Sequence, residues 1–470
     1  MTDYSDNRYV KLFDLQKSNQ YAIGKTTYKI RLRKLKALKF ALEKEYKTEI
    51  ENAIYKDFRK PKLETDLTEI YLVVKEIKYA ISNLKSWLKP QHVDTPLTLL
   101  GTSSYIKSEP KGVCLIISPW NYPLTLTFGP LVSAIAAGNT AILKPSEMTP
   151  NTSTVMAKIV KNVFDESEVA LIEGEVDVAK ELLKLPFNHI FFTGSPTVGK
   201  IVMAAAAKHL SSVTLELGGK SPTIIHESTN IKAAIRTIVW GKFLNNGQTC
   251  IAPDYVLIQE SIKDEFVKAF KSKVLDYYSA NPKDSESYSR IVNEKHLKRL
   301  VSYIEDAVSN KATIELGGDH NVSSNYMAPT LISNIAEDAK LLNEEIFGPI
   351  LPIKAYKTIE EAINYVNSKE KPLALYIYAK NRKVVNTIIN NTRAGSTCIN
   401  TNAIQYSNHY LPFGGSNNSG IGKAHGFFGF QEFSNARSVL KKHTLGPLYL
   451  LLPPYNRLKE KIAEIAIKWF

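Results

Sequence analysis

The strongest constraint on the fold is a series of short apolar, β-rich segments separated by helical patterns. Gly112 to Ser118, Ala141 to Leu143, His189 to Phe192 and Val213 to Leu217 each read as a strand. Such alternation predicts a parallel sheet with helices on its faces. A second series follows Cys250, with a strand at Tyr255 to Gln259 and a helix near Ile262 to Tyr278. Strands near Ala374 to Tyr378 and Thr397 to Asn400 continue it. Ahead of both series, residues 25 to 88 read as long helices. Leu67, Ile70, Tyr71, Val74, Ile77, Ile81, Leu84 and Leu88 keep helical spacing until Pro90 ends the pattern. Residues 90 to 108 read as an extended excursion. Two α/β domains are expected.

The 470 residues, 44% hydrophobic and 23% charged, have an ordinary globular composition and suffice for two or three domains. Three cysteines, Cys114, Cys250 and Cys398, include no CxxC pair. That count argues against a disulfide framework and a cysteine-built zinc site, so no metal and a reducing, cytoplasmic compartment are expected. Met1 to Asp6 is polar and does not read as a secretory signal. The apolar run Leu448 to Leu452 is stopped by Pro453-Pro454, far short of a membrane span, and a soluble protein is expected. The net charge of +14 invites a nucleic-acid reading. In Lys29 to Lys47, however, the basic residues alternate with Leu, Ile and Phe as on a solvated helix face. No nucleic-acid partner is expected; attraction of anionic cofactors or membrane surfaces is the more natural consequence.

Five stretches carry candidate chemistry. Ile231, Ala234, Ile235, Ile238 and Val239 form one apolar stripe on a helix from Asn230 to Phe243, which delivers Gly247-Gln248-Thr249-Cys250 as a tight connection. Cys250 there is either a buried structural thiol or a nucleophile. Phe191 to Lys200 follows a strand and opens a helix, with Ser195 suited to the N-cap and Pro196 to the first helical position. Gly194 and Gly199 would let the backbone approach a ligand, and free amides at the helix start favour a pyrophosphate. The spacing resembles a Walker A loop, but Ile201 lacks the magnesium-holding hydroxyl. Lys144-Pro145-Ser146-Glu147 ends a strand, where nucleotides bind in open α/β sheets. Glu216, flanked by Leu215 and Leu217, would gain a raised pKa on burial and suit a general base. Asn121, in a Pro-bounded turn, can present its amide to an oxyanion. Each stretch taken alone also has a plain structural explanation.

Together, and in order, these stretches resemble the aldehyde dehydrogenase superfamily. The resemblance rests on Pro119-Trp120-Asn121-Tyr122-Pro123, Lys144-Pro145-Ser146-Glu147, Phe192-Thr193-Gly194-Ser195, Glu216-Leu217-Gly218-Gly219-Lys220 and Gly247-Gln248-Thr249-Cys250. Glu344 to Pro349 and Leu411 to Gly415 extend it. Trp240-Gly241-Lys242, Ala252-Pro253-Asp254-Tyr255 and Asn418-Ser419-Gly420 resemble class 3, the group that includes fatty aldehyde dehydrogenases. Two departures stand out: Asn246 replaces a cysteine frequent in relatives, and Ser416-Asn417 replaces a small apolar residue and glycine.

What the resemblance implies is oxidation of aliphatic or aromatic aldehydes to carboxylic acids with NAD or NADP. Cys250 would attack the carbonyl, Asn121 and the Cys250 amide would hold the oxyanion, and Glu216 would activate the hydrolytic water. Glu345, Phe347 and Trp120 would lie at the nicotinamide side, Lys144 and Glu147 at the adenosine ribose, and Gly194, Ser195 and Gly199 at the pyrophosphate turn. No residue beside Lys144 stands out as an excluder of a 2′-phosphate. Tyr122, Trp240 and Thr249 would line the substrate entry; His425 either joins them or is a loop histidine. A cofactor-binding domain would span 1–88 and 110–216, and a catalytic domain 217–410. Residues 89–109 and 411–445 would form a bridging element that pairs subunits as a homodimer. The amphipathic tail, residues 446–470, would cover the tunnel mouth, rest on a membrane surface or dock on the partner subunit. A cysteine hydrolase, a coenzyme A-acylating dehydrogenase and a non-catalytic scaffold are the rival readings.

Overall fold

The computed structural model describes residues 7–444 and 446–469; Met1 to Asp6 and Phe470, on which parts of the sequence reading fall, lie outside them. The expected alternation builds two sheets. The first has six strands in the order Gly420–Ile421, Ser212–Leu217, His189–Gly194, Val113–Ile117, Thr140–Lys144 and Val169–Leu171. All pairs are parallel except that of Gly420–Ile421, which runs antiparallel against Ser212–Leu217. The second sheet has seven strands, from Thr313–Leu316 at one edge through Tyr255–Gln259 and Pro222–Ile225 to Ser396–Ile399 at the other. It too is parallel apart from its Thr313–Leu316 edge. Buried aliphatic and aromatic residues run continuously from the N-terminal helices through both sheets, as burial on two faces requires.

Several elements differ from expectation. A helix at Arg8–Gly24 precedes the first expected one. Its Gln16 side chain is buried and donates to the carbonyls of Ala141 and Glu166, so a polar residue anchors the helix to the sheet. Between residues 28 and 87 the long helices are interrupted by π turns at Ala41–Glu45 and Asp66–Ile70; the second carries the buried Glu69. Of residues 411–445, only Ser434–Lys442 enters the small antiparallel sheet with Gln91–Val93 and Thr102–Pro110. Gly420–Ile421 returns instead to the six-stranded sheet, where Gly420 faces Glu216. The tail forms a helix at Arg457–Trp469 with no buried residue. Among the described residues, no helix is long and apolar enough to cross a membrane.

Candidate active site

The helix Ile231–Phe243, capped by the Asn230 side chain, ends where the chain turns sharply toward Cys250. Asn245, Asn246 and Gly247 all have left-handed φ values of 50°, 57° and 72°. Asparagine and glycine are the residues that tolerate this conformation. Asn246 is fully buried and donates to the Ser289 carbonyl at 2.6 Å, a bond that a thiol at this position could make only weakly. Gln248 ties the turn down further. It donates to the carbonyls of Asn245 and Arg290 and accepts from the Val292 amide, each at 2.9 Å.

Cys250 stands where three cavities meet. An apolar cavity is lined by Tyr71, Tyr122, Trp240, Thr249, Ile404 and Phe413 among others. A more polar cleft holds Trp120, Asn121, Gly194, Ser195, Glu216, Glu345 and Phe347. A third, narrower cavity joins Cys250 to Glu216, Tyr406 and His425. Burial, with Glu345 and Glu216 nearby, pushes the Cys250 thiol up to about 12.

Glu216 is buried, and neither carboxylate oxygen has a hydrogen-bond partner. Burial raises its pKa well above the ordinary carboxylate range; Lys423 opposes the rise and Glu432 adds to it. Lys423 itself donates to the Gly414 and Gly415 carbonyls at 2.8 and 2.9 Å. Gly414, at φ 153°, brings its backbone so close to Glu216 that a Cβ would lie 3.0 Å from Oε1. The turn at the unusual Ser416-Asn417 is closed by the Ser416 amide donating to Ser419 Oγ at 2.9 Å, and Lys371 donates to Asn417 Oδ1. It leads into the strand in which Gly420 pairs with Glu216, and it contributes no residue to the lining of the apolar cavity.

Asn121 is held from both ends. Its Nδ2 donates to the Gln248 carbonyl at 3.0 Å, leaving one N–H of the amide for another acceptor. Its own carbonyl accepts from Asn245 Nδ2 at 2.7 Å and from Lys60 Nζ at 3.4 Å. Lys60 is fully buried and pairs with the equally buried Glu69 at 2.9 Å. Glu69 in turn accepts from the Thr125 amide at the start of the next helix. Tyr122 shares a 2.7 Å hydrogen bond with Thr249, fixing one wall of the apolar cavity.

The polar cleft suits a dinucleotide. Ser195 caps the helix Pro196–Ala207, accepting from the Val198 amide, so the free amides of the first turn face the cleft side of the sheet. Thr193 Oγ1 and His296 Nδ1 are buried in the cleft without partners, as expected where a polar ligand supplies them. Trp120 packs edge-on against Phe347 at 5.3 Å, and Phe347 holds φ 49°. Burial pushes Glu345 up to about 7 against the pull of the Gly219 amide, and a Cβ on Gly218 would overlap its carboxylate. His296 and Arg299, one turn apart on the helix Glu294–Ser309, also line the cleft, and Arg299 donates to the Ile346 carbonyl at 2.7 Å. Sequence reading missed both; nothing local to that amphipathic helix marks them.

Three residues gain detail from their packing. A Cβ on Gly199 would lie 2.7 Å from Leu217, so this glycine permits close packing of helix on strand. Lys144 donates to the Pro145 carbonyl at 2.7 Å and lies 3.8 Å from the Glu147 carboxylate, so an anionic group stands beside it. His425 is buried in the bend before the helix Gly426–Glu432 and lines the third cavity rather than the apolar one.

A cysteine-bearing turn that lines both an apolar cavity and a polar cleft, on a fold of two largely parallel sheets, is the arrangement of a dehydrogenase of the aldehyde-oxidising class. The sequence pattern of the aldehyde dehydrogenase family matches residues 5–439, and the chain belongs to that family. It is 45% identical to the 4,4'-diaponeurosporen-aldehyde dehydrogenase of Staphylococcus aureus (strain NCTC 8325 / PS 47), over 91% of this chain and 92% of that protein. It is 42% identical to aldehyde dehydrogenase family 3 member A2 of Mus musculus, over 93% and 89%. Among solved structures, the substrate-bound state of Staphylococcus aureus AldH superposes with a TM-score of 0.94 at 42% identity, covering 98% of this chain and all of that one. The NAD+ complex of a Bacillus cereus aldehyde dehydrogenase gives a TM-score of 0.85 at 27% identity, over 93% and 89%. The enzyme oxidises aldehydes to acids.

Proposed function

We propose that the substrates are medium- to long-chain aliphatic or aromatic aldehydes, that the cofactor is NAD or NADP, and that Cys250, Glu216 and Asn121 carry the chemistry. One observation carries this reading: Cys250 closes the end of the apolar cavity and the end of the polar cleft at the same point. Trp240, Tyr122, Tyr71 and Phe413 offer an aldehyde tail an apolar wall with few charges to desolvate. The relative named for 4,4'-diaponeurosporen-aldehyde and the NAD+-bound neighbour support the substrate and cofactor classes.

The Cys250 sulfur attacks the aldehyde carbon after losing its proton to Glu216 or water. The developing oxyanion lies between the free N–H of Asn121 and the Cys250 amide, donors already fixed before substrate arrives. NAD or NADP, when bound, supplies the hydride acceptor that turns this thiohemiacetal into a thioester. Trp120, Phe347, Glu345 and Ser195 would hold the cofactor in the cleft, with Lys144 and Glu147 at the strand end beyond it. Glu216, with both oxygens unpartnered, then takes a proton from the water that hydrolyses the thioester.

The same reading assigns 1–88 and 110–216 to cofactor binding and 217–410 to catalysis. The long, largely exposed edge strand Ser434–Lys442 supports subunit pairing as a homodimer. Leu458, Ile465, Ile467 and Trp469 are exposed on the tail, which supports a contact outside the single chain, with a membrane surface or a partner subunit. The test is NAD+ and NADP+ reduction with hexanal and hexadecanal on the wild type and Cys250→Ala. Reduced cofactor should form with the wild type and fall about 10⁴-fold or more in the mutant. Activity that survives in Cys250→Ala would sink the proposal.

A further inference from the structure

We propose that Glu76, His409 and His425 form a buried site for one divalent transition ion of the zinc class, because their donor atoms converge, unsatisfied by hydrogen bonds, where three distant segments meet. Glu76 lies on the helix Tyr71–Trp87, His409 follows the short turn Gln405–Ser407, and His425 precedes the helix Gly426–Glu432. One ligand atom from each lies within 4.8 Å of the other two, and all three side chains are more than nine-tenths buried.

The polar accounting is what sets this cluster apart. The Gly426 amide donates to Glu76 Oε1 at 2.7 Å, which orients the carboxylate and leaves Oε2 aimed at the imidazoles. Glu76 Oε2, both nitrogens of His409 and both nitrogens of His425 make no hydrogen bond, though His409 Nδ1 lies 3.1 Å from Glu76 Oε2. His409 Nδ1 and Glu76 Oε2 meet only each other, and the other three nitrogens are buried with no partner, which is costly because each forfeits a hydrogen bond to water. An ion satisfies three of these five atoms at once.

Ring packing prepares the geometry. Tyr79 stacks on His409 at 5.2 Å, and Phe413 lies along His425 at 6.0 Å, so neither imidazole is free to swing away. Donors bound about 2.0–2.1 Å from one ion lie about 3.3 Å apart, so from separations of up to 4.8 Å the cluster need close by at most about 1.5 Å. Two imidazoles and one carboxylate suit zinc and its neighbours in the first transition row, whereas calcium and magnesium require oxygen donors. His425 also lines the cavity that holds Glu216 and Cys250, leaving a fourth position open toward that space. The ion would fasten the Glu76 helix to segments more than 300 residues away, so its first effect is on stability.

The test uses the full-length chain, chelator-stripped, in a Cys250→Ser background so that the catalytic thiol cannot bind metal. Zn2+ is titrated against a chromophoric chelator, and Co2+ is followed by visible absorption. One equivalent of Zn2+ should bind and raise the melting temperature. Co2+ should give ligand-field bands without thiolate charge transfer. Added His409→Ala, or the near-isosteric Glu76→Gln where the first does not fold, should weaken Zn2+ by about 100-fold and abolish the thermal shift. Failure to bind one equivalent in the Cys250→Ser protein overturns the proposal. So does undiminished binding in the folded Glu76→Gln protein, which would place the ion elsewhere.

Discussion

Asn121 and Glu216 approach Cys250 from opposite surroundings. Asn121 is clamped by Gln248, Asn245 and Lys60, with the buried Lys60–Glu69 pair behind it. Glu216 is buried just as deeply, yet its carboxylate touches no hydrogen-bond donor. The contrast matches what each group must do. An oxyanion donor stabilises a transition state best when its dipole needs no reorganisation, so rigidity helps it. A base that moves protons must keep its lone pairs free and its pKa near the working range, so isolation helps it. Stability is spent at one site and stored at the other.

The sharpest way to break this contrast is at the base. Glu216→Gln should lower steady-state turnover by about 10³-fold, while a single burst of reduced cofactor survives if the thioester forms and stalls. The same variant should be more stable at neutral pH. A carboxylate whose folded pKa is raised contributes stability below its unfolded pKa and loses it as pH rises toward the folded value. Melting of wild type and Glu216→Gln should therefore diverge as pH rises from about 4 to 8. Equal melting across that range would mean that Glu216 finds a partner in solution. Wild-type turnover should also climb with pH on the alkaline side, since burial raises Glu216 and pushes Cys250 up to about 12. A profile flat above neutrality would contradict both shifts.

At the other pole, Asn121→Ala should lower kcat by about 10²–10³-fold with little change in stability, the loss expected for one oxyanion donor. Behind it, Glu69→Ala leaves Lys60 buried and unpaired, which should destabilise the fold by about 3–5 kcal/mol. Its effect on kcat should be smaller than that of Asn121→Ala, because Gln248 still holds the Asn121 side-chain amide and Asn245 still holds its backbone carbonyl. Chemical denaturation and steady-state kinetics on the pair separate the two. A Glu69→Ala protein of unchanged stability would show that the Lys60–Glu69 pair does not anchor this wall.

The base was far more legible in the sequence than the clamp. Glu216 lies between two leucines at a strand end, a local anomaly that announces a buried carboxylate. Strand and helix alternation likewise exposed both sheets, because period and turn residues are local signals. Lys60, Glu69 and the π turn that carries Glu69 gave no such sign: on a helical pattern a Lys and a Glu nine residues apart read as solvated. Only the fold, which brings residues 60, 69, 121 and 245 together, turns them into one network. Gly199 shows a different limit. A glycine in a phosphate-binding-like turn reads as room for a ligand, and close packing against Leu217 on the neighbouring strand calls for a glycine there as well. Motif spacing cannot separate room for a ligand from room for a side chain.

The tail offers the mildest break, on the substrate side of the comparison. Among the described residues, Arg457–Trp469 buries none, and none of them lines the cavity beside Cys250. Its exposed Leu458, Ile465, Ile467 and Trp469, with Lys459, Lys461 and Lys468 on other faces, suit an anionic vesicle surface. Removal of residues 457–470 should leave kcat/KM for dissolved hexanal within about twofold, since the clamp and the base are untouched. For hexadecanal presented in anionic vesicles, kcat/KM should fall by about tenfold, as the enzyme loses its hold on the surface where that substrate resides. Equal losses on both aldehydes would instead tie the tail to the partner subunit, and a drop in oligomer mass by light scattering would then accompany them. The hexanal arm decides between the two, because a dissolved substrate reports nothing of membrane binding.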